Sequence, residues 1–68
     1  MYTPEDIASM SAAELQDGLM LFFGGDFSQD VLQKAAELLK SGALTWPQVE
    51  AVIGERPGSG LDMLVKNA

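Results

Sequence analysis

The chain has no cysteine and no histidine. It can therefore form no disulfide, it offers neither thiolate nor imidazole to a structural zinc, and it lacks the usual nucleophile–base pairs. An absence of cysteine suits a reducing, cytoplasmic setting. Basic residues are scarce as well: four stand against ten acids, a net charge of −6. Phosphate backbones are held by clustered Lys and Arg, so no direct contact with nucleic acid is expected. Long apolar runs are missing. The longest, Leu19 to Phe23, falls far short of the about 20 residues that a membrane helix needs. The opening Met1-Tyr2-Thr3-Pro4-Glu5-Asp6 has neither the basic nor the apolar region of a secretory signal. These absences predict a soluble, cytoplasmic protein without membrane partners, metal or cofactor.

Catalysis is left with carboxylates, serines, one tyrosine and three lysines. A pair of carboxylates can hydrolyse glycosides, but 68 residues leave little room for a cleft that buries a sugar. No enzyme is expected. A chain of this size forms a single domain, 1–68, near the lower limit for folding without staples. Folding buries about 6,400 Å², worth on the order of 95 kcal/mol if about 60% of it is apolar. Ordering the chain costs on the order of 100 kcal/mol. The near-cancellation makes a homodimer, with burial shared between copies, the expectation for its assembly.

What the sequence does have is helix punctuation. Thr3-Pro4-Glu5-Asp6 places a hydroxyl at the N-cap, proline in the first turn and acids behind it, and opens a short helix near residue 4. Ser11-Ala12-Ala13-Glu14 is a capping box; it opens a second helix, which Gly24-Gly25 stops near Phe23. Asp26, or as the alternative Ser28, caps the third and longest helix, which ends at Lys40 or Ser41 before Gly42. Thr45-Trp46-Pro47-Gln48 repeats the box and opens a fourth helix ending near Gly54. Glu55 to Gly60 is loop chemistry, and Leu61 to Lys66 makes a last frayed turn or two. No segment alternates with period two. The prediction is an all-α, compact bundle of three main helices, with a short N-terminal helix and a weak C-terminal one.

The third helix carries an apolar stripe of Phe27, Val31, Leu32, Ala35, Leu38 and Leu39, and the fourth offers Trp46, Val49, Val52 and Ile53; with Leu44 these predict the core. The second helix is different. Leu15, Leu19, Phe22 and Phe23 share one face, while Met20 and Leu21 project away from it. A helix apolar all round is either gripped by neighbours on two sides or presents one side to a partner. Charge bears on the same helix. Residues 1–33 hold six acids and no base, whereas residues 34–68 are neutral. That half is either a solvated face or a surface that meets a basic partner.

Three patterns imitate chemistry. Asp26, Ser28, Asp30 and Glu37 have the ligand spacing of an EF-hand calcium loop, but Val31 stands where the sharp turn needs glycine, and helix capping explains the same residues. Gly54 to Gly60 lacks the Gly-Lys-Ser/Thr ending of a phosphate loop. The C-terminal half has the cadence of a helix-turn-helix, yet its second helix is apolar and bears Asp62. The stretch Asp30-Val31 … Ala36-Glu37-Leu38-Leu39 … Val49-Glu50 … Gly54-Glu55-Arg56-Pro57 resembles the helical tail that follows the metal site in FtsH-type zinc proteases; the His-Glu-x-x-His element is absent, and the resemblance implies a helical hairpin and no activity.

The sequence therefore predicts a non-catalytic protein–protein interaction module, a small acidic adaptor or inhibitor of a larger protein. Tiny acidic helical chains of this make-up are common among phage-encoded inhibitors. The expected partner-binding residues are Glu14, Asp17, Met20 and Leu21, facing a protein with a basic surface. A DNA-associated, helix-turn-helix-like regulator is the alternative, and the charge opposes it.

Overall fold

A computed structural model describes residues 2–68. The first two caps act where the sequence places them. The Thr3 hydroxyl accepts from the Asp6 amide, the Asp6 carboxylate accepts from the Thr3 amide, and the pair starts α1 (Pro4–Ser9). Ser11 and Glu14 do the same for α2 (Ala12–Phe23). α2 stops at Gly24, whose φ of 83° lies in the region that favours a residue without Cβ. α3 (Gln29–Ser41) ends on Gly42 in the left-handed conformation, φ 86°. Its N-cap is Ser28, whose hydroxyl accepts from the Val31 amide. Asp26 is not the cap: the helix begins at Gln29, the residue before it is the extended Ser28, and the buried Phe27 separates Asp26 from that position.

The last third departs from the sequence reading in length. α4 (Trp46–Glu50) is short. Only half of its box forms: the Gln48 side-chain oxygen accepts from both the amide and the hydroxyl of Thr45, so that hydroxyl does not cap the helix. Beyond Glu50 the chain tightens into i→i+3 hydrogen bonds, Val52 to Val49 and Ile53 to Glu50. β-Branched residues crowd an α-helix, and a three-residue turn eclipses i with i+3. Val49 and Val52 thereby share one face, buried and half-buried respectively. α5 (Gly60–Asn67) compensates. It is a full two turns, and Leu61 at its start is wholly buried. The third of the main helices is thus α5, and the helix at Trp46 is the minor one.

α3 is the central element: α2, α5 and α1 all pack on it, and α4 packs on α5. The core joins Leu15 and Leu19 of α2, Leu32, Ala35, Ala36 and Leu39 of α3, then Leu44, Trp46, Val49 and Leu61. Phe27 closes it beneath Phe23, ring edge to ring face at 5.1 Å. The radius of gyration is 10.5 Å, against about 11 Å expected for a domain of this length. The accessible surface is 4068 Å², against about 4,200 Å² expected for a folded chain of this mass. No helix among the described residues is long and apolar enough to cross a membrane.

α1 is held differently from the rest, since none of its residues is buried. Two anchors fix it. The Lys40 ammonium donates to the carbonyls of Ile7 and Ala8, both at 3.1 Å, which places a cation on the negative end of the helix. Just before α1, the Tyr2 ring lies against α2 at Gly18 and meets Phe22 and Trp46 edge to face, with centroids 6.1 and 4.7 Å away.

Candidate protein-binding face

At about 100° per residue, Glu14, Asp17 and Leu21 fall within about 60° of one another on α2, opposite Leu15 and Leu19. The structure turns Leu15, Gly18 and Leu19 inward and leaves those three in solvent. Leu21 is 88% exposed, the most open of the large apolar side chains. Phe22, next to it, is 39% exposed and forms a mutual aromatic cluster with Tyr2 and Trp46. The outcome is a small apolar prominence with two carboxylates along the helix on its N-terminal side.

The structure thus brings together three of the four residues expected from the sequence. Met20 is set apart: it is half-buried and packs against the core. It lies on the flank of α2 that meets α3, one turn beyond Gln16, whose amide donates to the Gln29 side chain at 2.9 Å. Phe22 takes the place beside Leu21 that the sequence reading gives to Met20. Gly18, one turn earlier, opens the space taken by the Tyr2 ring, on which Phe22 packs edge to face.

Glu14 is fixed, and Asp17 is free to respond. The Glu14 carboxylate accepts from the Ser11 amide at 2.9 Å, and the Glu14 amide donates to the Ser11 hydroxyl at 3.1 Å. Its pKa is lowered, chiefly by the hydrogen bond from the Ser11 backbone, then by the Ser11 hydroxyl and the Lys40 charge. Proton-transfer catalysis needs a carboxyl raised towards the working pH, and this one moves the other way. It carries its negative charge at neutral pH.

The remaining surface features are apolar or structural. An open cavity of about 460 Å³ lies between α1 and the start of α4, with Ile7, Leu39, Leu44 and Trp46 in its walls. Trp46 is 4% exposed and its indole N–H has no protein partner. Asp26 and Glu37 do not converge: Glu37 is exposed in the middle of α3, about 12 Å along the axis from its first residue. Among the described residues no three of Asp, Glu, His or Cys gather where they could hold a metal ion. In the C-terminal half, the helix that would read DNA spends Leu61 on the core and carries Asp62, whose carboxylate accepts from the Gly58 amide. No family model, curated protein or solved structure matches the chain.

Proposed function

We propose that this protein is a non-catalytic interaction module, a small acidic adaptor or inhibitor that docks the Leu21 face of α2 on a larger protein. The observation that carries the reading is Leu21 itself. A leucine held 88% in solvent on a well-capped helix gains nothing for the fold, and an apolar centre with a charged rim is the make-up of a docking site. The lowered pKa of Glu14 agrees with a role in electrostatic recognition and opposes one in acid–base chemistry. The test is a parallel capture from lysate with wild type, Leu21→Asp and Glu14→Lys/Asp17→Lys, read by mass spectrometry after circular dichroism has established equal folding. A protein retained by wild type and lost by Leu21→Asp supports the reading. Identical capture by all three removes this face from the function.

A further inference from the structure

The surface that α2 presents also constrains what can sit on it. On one side of Leu21 lie Asp17, one turn away, and Glu14, two turns away, both exposed. Their distances along the axis are about 6 Å and about 10 Å. Glu14 stays ionised because Ser11 holds it so. The cation whose charge reaches it, Lys40, already donates to the end of α1. No other base precedes Lys34 in the chain, so the stripe is not neutralised from within its own helix or α1. A second copy paired through the same face would offer these carboxylates no cation from its own α1 or α2, since residues 1–33 hold no base, which disfavours self-association through this face.

We infer that the occupant is a cationic amphipathic helix of another protein. Two turns of such a helix match the stripe. An apolar gap receives Leu21 and the edge of Phe22, and Lys or Arg one and two turns along pair with Asp17 and Glu14. Like periodicity on both sides lets each charge meet its partner, as the charged flanks of two paired helices do. This rests on the protein-binding reading of the same face and adds the chemistry of the partner.

The probe is a synthetic 14-residue peptide in which Leu and Lys alternate on helical spacing, compared with its Glu-for-Lys counterpart and with a shuffled peptide of the same composition. Binding is followed by amide chemical shifts on isotope-labelled protein at low and high salt. The expected result is binding of the ordered Lys peptide with shifts centred on Asp17, Leu21 and Phe22. That binding should weaken at least tenfold between about 20 and about 300 mM salt, and at least tenfold in Leu21→Asp and in Glu14→Gln/Asp17→Asn. Shifts centred elsewhere, equal binding of the shuffled peptide, or no binding at low salt would overturn the inference. The two levels separate cleanly. If a protein captured through Leu21 is held equally at high and low salt, the docking face stands and the cationic helix does not.

Discussion

Gly18 gives the sharpest test of how the N-terminus is held. It lies in the middle of α2, where replacing glycine by alanine ordinarily stabilises a helix by about 1 kcal/mol. Here a Cβ would overlap the Tyr2 hydroxyl oxygen and stand 3.2 Å from Cζ. The ring must retreat by about 1 Å to restore van der Waals distance. It is not free to do so cheaply, because it is wedged between Phe22 and Trp46. Each edge-to-face pair is worth about 0.5–1.5 kcal/mol beyond its buried area. Loosening both costs about 1–3 kcal/mol, which equals or exceeds the helix gain. Gly18→Ala should therefore be neutral or destabilising by up to about 2 kcal/mol, and about 1 kcal/mol corresponds to about 4–8 °C in Tm for a domain of this size. In a Tyr2→Ala background the obstacle is gone, and the same substitution should raise Tm by about 4–8 °C. The assay is thermal unfolding at 222 nm on the four proteins of the cycle, with near-ultraviolet dichroism of Trp46 reporting the aromatic cluster. An equal rise in Tm from Gly18→Ala in both backgrounds would refute the packing of Tyr2 on Gly18.

Lys40→Met should cost about 0.5–1 kcal/mol, and its signature is local: amide exchange in α1 accelerates while α2 and α3 keep their protection. Glu14 titrates below its ordinary 4.5, so the stability it lends is complete above pH 4.5 and is lost as pH falls through the lower, folded value. Ser11→Ala should move the Glu14 pKa back towards 4.5, read by carboxyl carbon shifts, and cost about 1 kcal/mol through the lost cap. Calcium at millimolar concentration should leave Tm and helicity unchanged, since Ser28 and Val31 are committed to the start of α3; a rise of several degrees would mean that this helix yields to a metal loop.

The first two helix beginnings were legible because each is written in local chemistry. The hydroxyl, proline and acid at Thr3–Asp6, and the box at Ser11–Glu14, act within one turn and owe nothing to the rest of the molecule. Helix ends and relative importance were less so. Nothing local tells that the Trp46 helix tightens after Glu50, because that depends on which face Val49 and Val52 must bury together. Nor does the loop-like Glu55–Gly60 announce that it returns Leu61 to the core against α3; that is tertiary information. The same limit applies to the docking face. Periodicity alone separates Leu21 from Leu15 and Leu19, but it puts Phe22 with that core face and sends Met20 away from it, whereas the structure half-buries Met20 and exposes Phe22. Which flank is closed depends on α3 lying against one and Tyr2 only partly covering the other.

The roles of fold and function can be separated residue by residue on this face. Glu14 serves both, since its carboxylate caps α2 and is also one of the charges presented, so its loss weakens helix and surface together. Asp17 has no hydrogen-bond partner in its own helix to account for it, and Leu21 at 88% exposure has almost no burial to lose. Substituting either by a polar helix former such as Gln should change stability by less than about 0.5 kcal/mol. A fold under no other demand would be equally well served with glutamine at both places. Folding makes no demand for a leucine and an acid one turn apart on the solvent side of α2, so the docking reading proposed above predicts that both substitutions leave Tm unchanged and abolish capture of the partner.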